Sequence, residues 1–543
     1  MTTVVAGSPV IVLPGLPSTV DAGPVIAQML RRASSPGFGS WWHRAESVGF
    51  CAQPIQLSGA DTAGRRHTVW TRCNNRRAAV CPSCSDLYAR DTWQLVHAGA
   101  AGGHHDIPVE VAARPQVFAT LTAPSYGAVH NAGGTPCHTT PTRSAACCRH
   151  GNQLRCKITH SIDDPMVGQP LCRGCYDYLG HVLFTWHLPE LWRRFTIALR
   201  RAVSTHLKTL GATPGSVRVS FVKVVELQAR AIPHIHALIR LDPPPAANDT
   251  TGSGDHNRYG PAAPWGGGEP RPIADQHAGW SSPITAAELA ALVQRAARHV
   301  SVDVATGDGG SGQQVVRVVR FGTQIDTQPL TSETTTAASD SEGDDTAPTT
   351  VSRLSPRRVA AYLAKYVTKS LHDFGITARR LTAEAIGDLD VTEHVRAILA
   401  TIAQLAQRTA GGGSLAGIGR WLHTLGYRGH ITTKSRHYST TMGALRTARA
   451  SWTRQQIAKH SGRQNDTDSA HSVDDVTAST GGRHQPIDTD EMLWEFDRAG
   501  HASAGDRVLI ISAALRHIGA RITAITDSRT DTTRIPPAPP GAG

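Results

Sequence analysis

Between Ala231 and Leu241 the chain carries an apolar run interrupted by two histidines one residue apart, His234-Ile235-His236. A β-strand turns successive side chains to opposite faces, so both imidazoles share one face while Ile235 enters the layer behind. The run therefore needs a sheet with one face packed and the other open to a two-pronged metal clamp. In a chain with 27 histidines, a pair of ordinary buried or surface histidines is the plainer reading of this string. A second string gives it weight. Tyr362-Leu363-Ala364-Lys365-Tyr366 places two tyrosines at i and i+4 of a predicted helix, on one face and about 6 Å apart along the axis. Alone these tyrosines read as a core stripe; opposite a metal they point to phosphodiester transfer.

A tyrosine phenol ionises near pH 10 and is a poor nucleophile at neutral pH. Lys365 beside Tyr366, and Lys369 one turn beyond, are suited to stabilising a developing phenolate or phosphate charge. The formal net charge of +12 over 543 residues favours a polyanionic partner, with nucleic acid the first candidate. The start of the chain lacks the basic segment that precedes a secretory core, and no run of 18 apolar residues is read in the sequence. The expectation is a cytoplasmic protein without a membrane partner.

All ten cysteines fall between Cys51 and Cys175. In a reducing compartment, paired Cys-x-x-Cys units read as Zn²⁺ ligands before disulfides. Cys81-Pro82-Ser83-Cys84 and Cys172-Arg173-Gly174-Cys175 are the two knuckles. Cys51 and Cys73 complete the first. For the second, Cys148 and Cys156 are taken with His150 and His160 as further candidates, and Cys137 and Cys147 in reserve. Structural staples without DNA contact, or buried free thiols, are the plainer alternatives.

Periodicity and turn residues predict an α+β fold, an antiparallel sheet covered by helices. Strands are expected over 117–122, 217–227, 234–241 and 313–325, and helices over 84–98, 183–210, 284–300, 356–371 and 508–525. The domains expected are a flexible arm over 1–40, a cysteine-rich zinc module over 41–110, and a catalytic domain over 111–375. Within the last lie a second cysteine insertion at about 131–180, a Pro/Gly loop at 243–282 and a Ser/Thr/Asp-rich loop at 327–352. A helical basic region over 376–450 offers Arg428, Lys434 and Arg436 to DNA, against the alternative of a solvated face. Residues 451–543 are expected to be largely disordered with one helix.

Three strings in this order resemble the HUH rolling-circle replication initiators of actinobacterial plasmids and integrative elements. They are Phe118-Ala119-Thr120-Leu121-Thr122-Ala123-Pro124, Pro233-His234-Ile235-His236-Ala237, and the tyrosine string continued through Val367-Thr368-Lys369. The likeness covers most of residues 45–450, with further family-like strings at Pro170–Tyr178, Gly426–His430 and Thr433–Arg436. Conjugative relaxases typically carry the tyrosine before the histidines, the reverse of the order here. The resemblance implies an HUH nuclease with an RRM/ferredoxin-like core. Mg²⁺ or Mn²⁺ would be held by His234, His236 and Glu226, the last otherwise a surface charge. Thr120 and Thr122 would stand on the first motif strand, with Tyr366 as first and Tyr362 as second nucleophile. It also implies single-stranded or hairpin origin DNA as substrate. No Gly-x-x-x-x-Gly-Lys-Ser/Thr loop occurs, so a host helicase and DNA polymerase would be partners. A two-tyrosine HUH transposase and a non-enzymatic zinc-containing DNA-binding regulator are the alternative readings.

Overall fold

The computed structural model describes residues 12–17, 20–60, 64–133, 135–138, 147–244, 279–308, 314–330, 354–368, 374–376, 380–408, 413–452, 455 and 494–532. Its helices are α1 (Ala22–Ala33), α2 (Phe38–Ser47), α3 (Pro82–Ala101), α4 (Tyr178–Thr209), α5 (Ala286–His299), α6 (Pro356–Val367), α7 (Glu393–Arg408) and α8 (Ala504–Thr532). Its strands are β1 (Ile55–Ala60), β2 (Arg66–Thr71), β3 (Gln116–Leu121), β4 (Arg218–Leu227), β5 (Pro233–Asp242), β6 (Ser301–Asp308), β7 (Gln314–Arg320), β8 (Ile325–Pro329), β9 (Thr432–Lys434) and β10 (Trp494–Ala499). Two compact units result, residues 1–91 with 445–543 and residues 92–444.

The second unit is α+β, built on a five-stranded antiparallel sheet in the order β8-β3-β5-β4-β9. β5 is central and buried along its whole length. Its Ile235, Ala237, Ile239 and Leu241 join Val117, Ala119 and Leu121 of β3 and Val219 and Val225 of β4 in one core. Leu191, Phe195 and Leu199 of α4 and Leu289, Leu292 and Val293 of α5 complete that core. The alternation that buries these residues sends His234, His236 and Glu226 to the opposite face, where α6 contacts β4. The β4–β5 turn fixes the register. Gln228 N–H donates to the Ile232 carbonyl at 3.0 Å, Ala231 takes φ +60°, and Glu226 is thereby set opposite His234.

Several boundaries differ from the sequence expectation. α4 begins at Tyr178 because the Asp177 carboxylate caps it, accepting from the Gly180 N–H at 2.9 Å, so Pro189 lies inside the helix. The strand expected over 313–325 is two strands. β7 pairs with β6 as a separate ribbon, and β8 joins the main sheet and runs into the loop expected at 327–352. The break falls at Gly322, where a Cβ would stand 2.6 Å from the Ala123 carbonyl oxygen. Residues 376–450 are no separate region: β9 pairs with β4 as the sheet edge and α7 contacts α4.

In the first unit, β10 pairs with β1 in the order β10-β1-β2, across more than 400 residues of sequence. α8 buries Ile510, Ala513 and Ala514 against Trp41, Ala45 and Phe50. Arg32 of α1 holds Asp506 of α8 through two 2.8 Å hydrogen bonds. The arm expected over 1–40 therefore contains α1 and the start of α2, and the C-terminal region is ordered over 494–532. By length and composition Ala504–Asp527 is apolar enough to cross a membrane, contrary to the expectation of no such segment; the start of this helix is packed in the core just described. Most of the 243–282 and 327–352 loops and of the polar stretch over 451–487 lies outside the described residues.

Lys223 of β4 points into the α4 core, only 4 % exposed. Its Nζ lies 5.8 Å from the Trp192 ring centroid and donates to the His430 carbonyl at 3.3 Å. Burial pushes the ammonium pKa down to about 8. At pH 7 the charge is present both folded and unfolded, so the whole desolvation cost is felt; it is relieved as pH rises through 8 towards the unfolded value. Lys223→Met is expected to stabilise this unit by about 1–3 kcal/mol at pH 7. The gain should shrink at pH 10 in urea unfolding; an equal gain at both pH values would contradict this reading of the lysine.

Candidate active site

The register of three strands assembles the site. Glu226 stands opposite His234, and His236 lies between Val224 on one side and Thr120 on the other. Glu226 Oε2 is 3.1 Å from His234 Nε2 and 2.9 Å from His236 Nε2. All three residues are buried, and their donor atoms lie within 4.8 Å of one another. Two imidazole nitrogens and one carboxylate are a ligand set for a hard-to-borderline divalent cation, with positions left over for phosphate oxygens. The residues present therefore fit the Mg²⁺ or Mn²⁺ expected.

Thr120 Oγ1 lies 3.1 Å from His236 Nδ1, which leaves Nε2 directed at Glu226. Partners of this kind fix the orientation of a ligating ring. Thr120→Val is expected to weaken Mn²⁺ binding at the Glu226, His234 and His236 group about 10-fold or more, leaving stability little changed. An unchanged metal titration would remove Thr120 from the site. Thr122, beyond the end of β3, hydrogen-bonds to the Gln324 carbonyl instead and does not join the histidines.

The tyrosines reach the site through α6. Ser355 caps that helix by accepting from the Arg358 N–H at 3.3 Å, and Pro356 at the first position starts it. Tyr362 Oη lies 3.4 Å from His236 Nε2, and its ring meets the His236 ring edge-on at 5.0 Å. The Tyr366 ring is 5.8 Å from His236 and 4.4 Å from Tyr362. Phe118 lies parallel to the His236 ring at 5.9 Å and edge-on to Tyr362 at 5.7 Å, a neighbour its place two residues before Thr120 made predictable. Burial, then Tyr366 and the Glu226 carboxylate, hold the Tyr362 phenol well above its ordinary pKa. Lys365 Nζ is 5.9 Å from the Tyr366 ring centroid, and Lys369 lies outside the described residues.

The cysteines sort into separate groups. In the first unit Cys51, Cys73, Cys81 and Cys84 converge, with Sγ of Cys51 3.8 Å from Cys81 and 3.6 Å from Cys84. Backbone N–H groups of Ala52 and Cys73 donate to Cys81 and Cys51 at 3.2 and 3.3 Å. Hydrogen bonds to Cys73, Cys81 and Cys84 drive the Cys51 thiol far up, while those from Cys51, Cys73 and Cys81 drive Cys84 far down. Four thiolates so close repel one another unless a cation offsets their charge, the donor chemistry of a structural zinc site. Ile511 of α8 packs on the quartet.

In the second unit Cys148, His150, Cys172 and Cys175 form a group, with His150 Nδ1 3.2 Å from Cys175 Sγ and 3.6 Å from Cys172 Sγ. The Asn152 amide donates to Cys172 at 3.1 Å and holds its thiol down at about 6. Cys156, expected here, is elsewhere: its backbone pairs with His138, and its Sγ faces His160. Cys147 is exposed and stands in no group among the described residues.

Of the three cations expected to meet DNA, Lys434 donates to the carbonyls of Ser435, Arg436 and Ser439, and burial lowers its pKa to about 8. Arg428 stacks on Trp186 at 4.4 Å, and Arg436 is exposed.

A family model described as "RepSA: Replication initiator protein, pSAM2" matches residues 37–515. A protein of Streptomyces ambofaciens named "Replication initiator protein" is 35% identical over 467 residues, which is 80% of this chain and 85% of that protein. No solved structure matches the chain.

Proposed function

Since this chain belongs to the RepSA family of replication initiator proteins, we propose that it starts replication by cutting one strand of its origin with a tyrosine. The enzyme would be an HUH endonuclease and strand transferase. One observation supports the reading: the Tyr362 hydroxyl lies 3.4 Å from an imidazole nitrogen that, with His234 and Glu226, belongs to a buried group able to hold a divalent cation. His234, His236 and Glu226 would hold Mg²⁺ or Mn²⁺, which when bound polarises the scissile phosphate and offsets its charge. Glu226 supplies the negative charge and the two rings the fixed geometry, with Thr120 orienting His236.

The phenol oxygen of Tyr366 or Tyr362 forms the new bond to phosphorus as the bond from phosphorus to the 3′ oxygen breaks. The phenol's proton ends on the 3′ hydroxyl. A 5′-phosphotyrosine then keeps the ester energy for resealing, and the free 3′ hydroxyl primes rolling-circle synthesis. Lys365, its Nζ 5.9 Å from the Tyr366 ring centroid, is suited to offsetting charge on the scissile phosphate. Two adjacent phenols allow one to hold the first end while the other makes the terminating cut. The exposed Arg436 is suited to the DNA backbone, and host helicase and polymerase would extend the primer. Cys51, Cys73, Cys81 and Cys84, and Cys148, His150, Cys172 and Cys175, would hold structural Zn²⁺.

The test is incubation of the full chain with single-stranded origin oligonucleotide and Mg²⁺ or Mn²⁺. A covalent protein–DNA band that EDTA prevents is expected. Specific binding without any such band would instead favour the non-enzymatic regulator.

A further inference from the structure

His130, Cys137, Cys156 and His160 bring one donor atom each within 4.8 Å of the others. His130 Nδ1 is 3.1 Å from His160 Nε2, Cys156 Sγ is 3.3 Å from His160 Nε2, and Cys137 Sγ is 3.8 Å from His130 Nδ1. Two thiolates and two imidazoles tetrahedrally around zinc would be separated by about 3.3–3.8 Å, from bond lengths near 2.3 Å to sulfur and 2.0–2.1 Å to nitrogen. The observed spacings fall in or beside that range.

The surroundings are those of a metal site rather than of a chance cluster. The Asp164 carboxylate lies 2.7 Å from His160 Nδ1, on the far side of the ring from the cluster, and is itself held by the Met166 N–H at 2.8 Å. A carboxylate in that position fixes the tautomer that leaves Nε2 free to ligate. The Asn131 N–H donates to Cys137 Sγ at 3.2 Å, as the Ala52 N–H does to Cys81 in the all-cysteine quartet. The backbone clamps the four together through the His138↔Cys156 and Ala132↔His160 bridges. Cys156 and His160 are only 9 % and 3 % exposed. Without a cation, the buried His160 ring and the half-buried His130 ring would set two imidazole nitrogens 3.1 Å apart with a thiol beside them.

We infer that His130, Cys137, Cys156 and His160 form a separate Cys₂His₂ zinc site, so that the cysteine insertion folds around two metal ions and the described residues hold three structural zincs. Sequence spacing groups Cys156 and His160 with the Cys172–Cys175 knuckle, holds Cys137 in reserve and gives His130 no role. This site has no bearing on the tyrosine chemistry, and either can fail without the other.

The test is the zinc content of the full-length chain, measured by plasma mass spectrometry. The chain carries His234→Ala and His236→Ala so that the catalytic pair does not enter the count. Three zincs per chain are expected. Adding Cys137→Ser and Cys156→Ser is expected to remove at least one, whereas Cys156→His, which exchanges one donor for another, keeps all three. In the cobalt-loaded protein Cys156→His should weaken the thiolate-to-metal absorption while retaining tetrahedral visible bands. Two zincs in the parent chain, or three retained in the double serine variant, would overturn the inference.

Discussion

Tyr362→Phe combined with Tyr366→Phe is expected to abolish the covalent protein–DNA adduct and to lower strand cleavage by about 10⁴-fold or more, the scale of losing a nucleophile. Fold should be kept, because each change removes one hydroxyl from a helix face whose packing residues are Val359, Ala360, Leu363, Ala364 and Val367. Each single variant is expected to retain adduct on the other residue. The two rings are 4.4 Å apart and lie 5.0 and 5.8 Å from the His236 ring, so neither phenol is far from the proposed cation. The singles should part from wild type after the first cut: with one phenol missing, the cut end cannot be passed on and terminated products should fall. Gel analysis of joined and free strands reads that difference. Full adduct formation by the double variant would remove α6 from the chemistry.

The second large effect falls on the proposed metal ligands. Glu226→Gln keeps the side chain's shape but removes the only carboxylate facing the two Nε2 atoms at 3.1 and 2.9 Å among the described residues. His236→Ala removes the ring that also contacts Thr120 and Tyr362. Either is expected to lower nicking by about 10³-fold or more, since the cation's charge stabilisation is lost together with the orientation of the phosphate. Binding to origin DNA should persist, because it depends largely on phosphate contacts made elsewhere. Nicking and mobility-shift titrations on the same preparation separate the two. Loss of both together would mean that the substitutions act on folding, and normal nicking by Glu226→Gln would remove it from the ligand set.

Much of this site was legible because it is local. A period-two pattern puts His234 and His236 on one face, the short connection after Leu227 brings Glu226 alongside, and the i, i+4 spacing aligns the tyrosines. Thr120 and Thr122 follow from the resemblance of their string to the first motif, on a strand that alternation predicts, but the strand ends at Leu121 and the Thr122 hydroxyl turns to Gln324. What stayed hidden is non-local. Nothing around Trp494–Ala499 announces that it pairs with Ile55–Gly59, or that Ile511 packs on the cysteine quartet. The ligand grouping in the insertion was equally unreadable. Spacing alone cannot choose among four cysteines and several histidines, and the choice is made by the bridge that pairs Cys156 with His138.

The edge strand β9 shows a related limit. Thr432–Lys434 sits amid basic residues that composition assigns to DNA, yet hydrogen bonding to β4 places it in the sheet. Lys434 then meets three carbonyls of its own loop, so its ammonium holds the chain rather than a phosphate.

The proposed link between a tyrosine of α6 and DNA forms at the His234–His236–Glu226 site. Its most direct measurement is mass spectrometry of the proteolysed adduct formed by the wild-type chain on single-stranded origin oligonucleotide with Mn²⁺. The expected product is a nucleotide phosphate on the peptide carrying Tyr362 and Tyr366, attached to one of those two phenols, with no such peptide when EDTA is present. Attachment to any other residue, or cleavage that proceeds with no covalent peptide at all, would contradict it.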